Sequence, residues 1–362
     1  MTSKERKELR YQRRKQKRIN KLIEDINKYS SIEKSFTFHK VMFYADKCTK
    51  GVNYKRSTQY FKLHMFSIIA TTCKNIKNNT YKVGNTYKFK INERGKERLI
   101  DAPYIKDRLV HKVLSNEILP IYHKHFIYDN GASIKGKGFH MALKRLKNKL
   151  YSHYLKYGIN GYIVKIDFSK YFQNCNHEII KKIHQKYILN YNTLKILEDY
   201  LFINNGLSLG IEIAQKEALM LPNKLDHLVQ NKHKIIRYMD DTIYITKTKK
   251  EAIEMLNKYI ILSKKLGIII NKNKTKIINI KNSFIFCKWK FKILNNGKIL
   301  MIPVKDTIYR QRRKLVKMYN KKVNINEINK TIICFKSYLN IGSSYKYIKH
   351  IDGYVCKKYQ NI

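Results

Sequence analysis

Residues 2–18 are almost wholly polar and basic, whereas Ile19, Leu22, Ile23 and Ile26 recur at helical spacing, which predicts a basic helix with one docking face. From Phe36 to Thr80 the pattern is mixed, with helical stretches expected around Thr58 to Asn75 and no recognisable chemistry. Tyr87, Phe89 and Ile91 then alternate with Lys88 and Lys90, turn residues Asn92, Glu93, Arg94 and Gly95 follow, and Arg98 and Ile100 resume the alternation, a basic β-hairpin. Lys106 to Leu119 reads as an amphipathic helix. Gly131, Gly136 and Gly138 interleave with Ser133, Lys135 and Lys137 before a basic helix that runs to Tyr157. An apolar strand, Tyr162 to Ile166, ends on Asp167. Helices are expected over Asn176 to Ile188 and Asn192 to Phe202, and the turn from Asn204 leads to another that passes Leu225 with a kink or break at Pro222. Ile235 to Ile245 gives two β-prone arms with adjacent Asp240 and Asp241 between them, a tight hairpin. Ser283 to Ile293 alternates as one strand, and from Lys305 a helical tail places apolar residues at Leu315, Ile328, Ile332, Phe335, Leu339 and Tyr345.

The acids carry the candidate chemistry. Paired carboxylates beside a hydrophobic hairpin repel one another and lose hydration, so a cation between them would relieve the fold, and hard divalent ions prefer oxygen ligands. Taken singly, Asp240 and Asp241 are also what a solvated turn contains, and Asp167 could be a helix N-cap. Together they supply acids from separate strands. Two Mg²⁺ ions held that way can activate an attacking hydroxyl and stabilise the leaving oxygen of a phosphoryl displacement. The second arm of the basic β-hairpin, Lys96 to Pro103, carries Arg98, whose guanidinium fork could bridge two phosphate oxygens; a solvated basic strand is the alternative.

A strand ending in Asp167 and a later Tyr238-Met239-Asp240-Asp241 hairpin resemble the palm of reverse transcriptases. That resemblance, carried by motifs between residues 85 and 300, implies an α+β right-hand polymerase with fingers, a palm of antiparallel sheet and helices, and a small helical thumb. It divides the chain into a basic helical extension (1–80), fingers (81–160), palm (161–300) and thumb (301–362). It implies that Asp167, Asp240 and Asp241 are catalytic and hold two Mg²⁺ ions, or Mn²⁺ in their place, with the carbonyl of Phe168 as a further ligand. Nucleotide contacts would come from Arg98 and Lys90 on the fingers hairpin, Phe172 as the aromatic gate against a ribose 2′-OH, Gly210, Gln215, Tyr238 and Lys274, the last protonating pyrophosphate. The Gly-Lys loop with Lys135 and Lys137, and the cluster Arg310, Arg312 and Arg313, would bind nucleic acid. Ser208 and Leu209 replace the first residues of the Pro-Gln-Gly of intron and retroviral enzymes, whereas Gly210 followed by Ala214-Gln215 resembles diversity-generating, abortive-infection and defence-associated bacterial enzymes.

Composition points the same way. Among 362 residues, 76 are Lys or Arg and 26 Asp or Glu, a formal net charge of +50 that implies a polyanionic partner. AT-rich coding accounts for abundant Lys, Asn, Ile and Tyr but not for so few acids. No apolar run reaches spanning length and no apolar segment follows the basic start, so a membrane partner is not expected and the cytoplasm is. The dispersed cysteines Cys48, Cys73, Cys175, Cys287, Cys334 and Cys356 suggest neither zinc nor a redox motif.

The leading expectation is an RNA-directed DNA polymerase that uses deoxynucleotides on a dedicated, structured non-coding RNA in phage defence, since no room is left after the thumb for an RNase H or endonuclease domain. Template-independent or protein-primed synthesis at the same site is one alternative, and a maturase-like RNA-binding protein another. Oligomeric state is open.

Overall fold

The computed structural model describes residues 2–29, 31–93 and 95–359, so Arg94 of the expected fingers turn lies outside the described residues. The basic opening is one helix, α1 (Ser3–Tyr29), with Ile26 as its buried residue. Then come α2 (Ile32–Ser35), α3 (Phe38–Thr49), α4 (Arg56–Leu63) and α5 (Met65–Lys77). The helical stretches expected around Thr58 to Asn75 are α4 and α5, separated where the chain leaves helical geometry at His64. β1 (Thr86–Glu93) and β2 (Lys96–Pro103) pair antiparallel from Thr86 opposite Pro103 to Glu93 opposite Lys96. Both faces of this ribbon meet solvent: Tyr87, Phe89 and Ile91 are exposed.

α6 (Ile105–Val113) passes into a π-helical turn, Leu114–Ile118, before α7 (Pro120–His123). The Leu119 N–H reaches back to Leu114 O at 2.9 Å, and Pro120, which has no N–H, starts the new helix, so the expected helix ends in a widened turn. α8 (Phe139–Tyr157) and β3 (Tyr162–Ile166) follow, then α9 (His177–Tyr187) and α10 (Tyr191–Leu201), whose N-termini are capped by Asn176 and Asn190. α11 (Glu212–Met220) and α12 (Asn223–Gln230) are separated at Pro222, as expected. β4 (Lys234–Tyr238), β5 (Asp241–Thr246), α13 (Lys249–Lys265), β6 (Lys276–Asn279), β7 (Phe284–Phe286), β8 (Trp289–Ile293) and β9 (Ile299–Pro303) lead to the helices α14 (Lys305–Asn320), α15 (Ile325–Leu339) and α16 (Tyr345–Tyr359).

The expected strand Ser283 to Ile293 is a hairpin instead. Cys287 and Lys288 both take positive φ, 47° and 65°, the pattern of a two-residue type I′ turn, without the Gly or Asn that announces one in a sequence. Tyr345, expected in the apolar stripe of the tail, is exposed at the start of α16, whereas Ile308, Leu315, Ile328, Ile332, Leu339 and Ile351 form that cluster's core.

Two compact units divide the chain. The first comprises residues 1–127, 169–225 and 262–269, and the second 128–168, 226–261 and 270–362. In the first, buried polar side chains pair with each other: His184 joins Tyr122 to Glu217, and Tyr81 joins Asp107 to Tyr200. In the second, a four-stranded antiparallel sheet has the order β4-β5-β3-β6, and a separate sheet the order β7-β8-β9. Leu143, Leu146 and Leu150 of α8 pack with Ile163, Ile236 and Ile243 of the first sheet and Phe286, Trp289 and Phe291 of the other, in one core. Tyr338 on α15 meets Trp289 and Phe139, and Phe139 meets Tyr238, an aromatic run from the tail to the β4–β5 hairpin. The architecture is α+β with antiparallel sheets.

Candidate active site

The three acids fall in the second unit at one end of its larger sheet. β3 pairs with β5 from Tyr162 opposite Thr246 to Ile166 opposite Thr242, and one further step sets Asp167 opposite Asp241. β4 and β5 close through Met239 and Asp240, with Tyr238 paired to Asp241. A two-residue turn and an adjoining strand end therefore bring all three carboxylates into one neighbourhood from sequence positions more than seventy residues apart.

Each carboxylate has a different setting. The Asp167 backbone N–H donates to Thr275 Oγ1 at 3.4 Å, while its carbonyl accepts the Asn271 N–H at 2.8 Å. Its Oδ2 lies 3.3 Å from Lys274 Nζ. Asp240 is exposed on the turn. Asp241 is half-buried: Oδ2 accepts the Cys287 N–H at 3.1 Å, and the buried Oδ1 has no hydrogen-bond partner and sits 3.7 Å from Lys165 Nζ. Burial pushes the Asp241 carboxyl above its ordinary range; Lys165 and the Cys287 N–H oppose this, and the negative charges of Asp240 and Asp167 add to it.

Among the described residues no group of three His, Cys, Asp or Glu side chains forms a ready metal cage. Mg²⁺ is commonly held by one or two carboxylates together with substrate phosphates, so an open set of acids suits it. The donor chemistry fits: hard oxygen ligands, one buried carboxylate oxygen lacking a donor, and mutual repulsion that a cation would relieve. Lys165 and Lys274 supply part of that positive charge in this arrangement. Phe168, next in sequence, is buried and bridges to Ile270.

Tyr238 packs edge-on against Phe139 at 6.2 Å. Lys137 donates to Tyr128 O at 2.6 Å and lies over the Tyr128 ring, with burial lowering its pKa, whereas Lys135 is exposed. The three arginines of the tail separate: Arg310 pairs with Asp306 at 3.0 Å, Arg312 meets His350 of α16, and Arg313 is exposed.

The remaining nucleotide-site expectations lie in the first unit. Arg98 pairs with Glu93 at 3.1 Å and Lys90 with Glu97 at 2.9 Å, both on the exposed β1–β2 ribbon. Tyr171 is a core residue whose hydroxyl donates to Ala218 O at 2.6 Å; Phe172 beside it is half-buried, and its carbonyl accepts the Leu207 N–H at 2.7 Å. Gly210 has φ +108° and abuts the backbone of Asp101, whose N–H donates to Leu209 O at 2.7 Å. A side chain there would strike the Asp101 carbonyl, so the loop's contact with β2 requires glycine. Gln215 is exposed on α11.

Four residues of the acid neighbourhood escaped the sequence reading. Lys165 and Arg237 are lone charges inside apolar strands, which is a usable signal. Asp226, the partner of Arg237, sits in an amphipathic helix, and the backbone contact of Cys287 leaves no mark in the sequence.

No curated protein matches the chain. It is similar to solved telomerases at 14% identity. Apo telomerase from Candida tropicalis truncated from its C-terminal domain gives a TM-score of 0.48, covering 60% of this chain and 55% of that one. Apo telomerase from Candida tropicalis gives 0.46, covering 61% and 49%. Telomerase from Candida albicans in complex with a TWJ fragment of telomeric RNA gives 0.49, covering 84% and 63%. The chain thus spans between 49% and 63% of these telomerases' length. The profile of the family described as reverse transcriptase (RNA-dependent DNA polymerase) matches residues 76–322, well over half of the sequence, and the chain belongs to that family, whose right-hand polymerase fold it shares.

Proposed function

We propose that the protein is an RNA-directed DNA polymerase that adds deoxynucleotides to a primer hydroxyl by phosphoryl transfer. The observation that carries this reading is the sheet register that brings Asp167 opposite Asp241 with Asp240 in the adjoining turn, in a chain of this family. Asp167 and Asp240 are the residues that would hold two Mg²⁺ ions, or Mn²⁺, helped by Asp241 and the Phe168 carbonyl. Such ions lower the pKa of an attacking hydroxyl and neutralise charge on the leaving oxygens. Asp241 is held at Oδ2 by the Cys287 N–H and faces Lys165 with Oδ1, and Lys274, beside Asp167, would deliver a proton to pyrophosphate. Arg98 and Lys90 would bind triphosphate, Phe172 would exclude ribose, and Gly210, Gln215 and Tyr238 would pack about the new base pair.

In the same reading residues 1–80 are a basic extension, 81–160 fingers, 161–300 palm and 301–362 thumb. The formal charge of +50 supports a nucleic-acid partner, with Lys135, Lys137, Arg310, Arg312 and Arg313 on its path. Among the described residues no helix is long and apolar enough to cross a membrane. The Gly210, Ala214, Gln215 pattern supports a bacterial enzyme of the defence-associated kind that copies one structured RNA in the cytoplasm. Asp167→Asn and Asp240→Asn test the chemistry: each should abolish Mg²⁺-dependent synthesis on a primed RNA while folding and RNA binding persist. Sequencing the co-purified RNA and the DNA product tests the rest. One dominant RNA whose segment matches the product supports a dedicated template; a homopolymer or repeat matching no bound RNA would instead assign template-independent synthesis.

A further inference from the structure

The β4–β5 turn carries Asp240 on a backbone that resists its own shape. Met239, its first turn residue, has φ +56°, a conformation that non-glycine residues adopt only where their surroundings impose it. Arg237, two positions earlier in β4, touches it. Arg237 Nη1 donates to Met239 O at 3.2 Å. Its Nε donates to Asp226 Oδ2 at 2.7 Å and Oδ1 at 3.0 Å, and its Nη2 lies 2.7 Å from Oδ2. Both side chains are 0% exposed.

The backbone of Arg237 is fixed as firmly. Its N–H donates to Asp129 O at 3.1 Å, and its carbonyl accepts the Gly131 N–H at 3.0 Å. The Asp129 carboxylate is itself gripped by Arg145 Nε at 2.6 Å and Lys149 Nζ at 2.7 Å; burial acts to raise its pKa, but these two bonds outweigh it and hold it below the usual range. The segment on which Arg237 leans is therefore anchored to α8.

A buried ion pair is a poor device for stability, since well-packed apolar residues of the same volume commonly serve as well or better. Its geometric consequence is different. With Nε and Nη2 both held by the Asp226 carboxylate, the plane and rotation of the guanidinium are fixed, and that orientation aims an Nη1 N–H at the Met239 carbonyl. We propose that Arg237, oriented by Asp226, is a positioning residue that clamps the strained turn and so fixes where the Asp240 carboxylate points. The inference rests on the reading of Asp240 as a metal-holding acid.

The test uses the full-length protein with a primed RNA template. In the double variant Arg237→Met/Asp226→Leu the charges leave together, so folding should persist, with Tm and RNA affinity near those of the parent. Its kcat should fall about 10²-fold, the scale of a misplaced reacting group, and its half-maximal Mg²⁺ concentration should rise several-fold. Arg237→Lys covers the case in which the double variant does not fold: it keeps the charge for Asp226 but loses the fork to Met239, and should show the same rise in Mg²⁺ requirement with at least a tenfold loss of kcat. Parental kcat and Mg²⁺ dependence in either folded variant would overturn the clamp. Asp240→Asn separates the premise: if it retains activity, the role of Asp240 fails and the clamp with it; if it is inactive while the Arg237 variants are parental, only the clamp fails.

Discussion

The backbone N–H of Cys287 donates to Asp241 Oδ2 at 3.1 Å, so the turn joining β7 to β8 in one sheet supports a carboxylate that begins β5 in another. With Lys165 at 3.7 Å this is the compensation offered to a half-buried acid flanked by two more. The compensation is incomplete, because burial leaves the Asp241 pKa above its ordinary value.

A sign follows for stability. The folded protein binds the Asp241 proton more tightly than the unfolded chain does, so this group's stabilising contribution is full below the ordinary carboxylate pKa and is lost as pH rises through the raised value. In metal-free buffer Asp241→Asn should therefore raise Tm at neutral pH by about 1–3 °C, and the gain should vanish towards pH 4. A lower Tm at neutral pH would mean that Lys165 and the Cys287 N–H more than offset burial.

Legibility in the sequence tracked locality. Asp167 at the end of an apolar strand and the acids between two β-prone arms could be read because each is a pattern within about a dozen residues. Arg237 and Lys165 lie in those same stretches as lone charges inside apolar strands, a signal that each has a partner, but one that does not name Asp226 and Asp241, which the fold brings from elsewhere in the chain. The β7–β8 turn was missed because Cys287 and Lys288 take positive φ without glycine or asparagine. Arg310, Arg312 and Arg313 read as one cluster, but helical geometry turns them to different neighbours. Tyr171 and Phe172 are adjacent aromatics whose difference the sequence does not show; the fold buries the first and leaves the second half-buried.

Lys274 has two separable effects. Its ammonium, 3.3 Å from Asp167 Oδ2, competes with any metal for that oxygen, so Lys274→Met should lower the Mg²⁺ concentration for half-maximal rate. If it delivers the proton to pyrophosphate as proposed, it should also be needed for turnover, and kcat at saturating Mg²⁺ should fall by about 10². A titration of rate against Mg²⁺ reads both. An altered Mg²⁺ requirement with parental kcat would restrict Lys274 to the ion pair.

Phe172 is half-buried, and its backbone is fixed by the Leu207 N–H, so the ring has a defined base from which to exclude a bulky sugar. Phe172→Val should relax the choice of sugar by about 10 to 200-fold in relative kcat/KM for ribonucleotides against deoxynucleotides, the range a steric pocket provides. Tyr171→Phe, which removes the hydroxyl bonded to Ala218 O, should leave the choice of sugar unchanged and lower Tm. Equal use of both sugars by the parent would remove the gate.

Arg6, Arg10, Arg14 and Arg18 stand four residues apart on α1 and form one exposed row along a helix of 27 residues, about 40 Å long at 1.5 Å per residue. Like charges at that spacing weaken a helix, and no apolar core repays this row, because the buried contact of α1 is at Ile26 near its other end. A phosphate backbone laid along the row would convert the repulsion into attraction, with release of condensed counterions. Replacing Arg10, Arg14 and Arg18 by Gln should then leave Tm unchanged or slightly higher, while the slope of log affinity for structured RNA against log salt becomes shallower by about 2 to 3, at roughly 0.7–0.9 per lost contact. Asp167→Asn, which leaves this row intact, should keep the parental slope. An unchanged slope in the triple variant would make the row a solvated face and put the phosphate contacts on other elements.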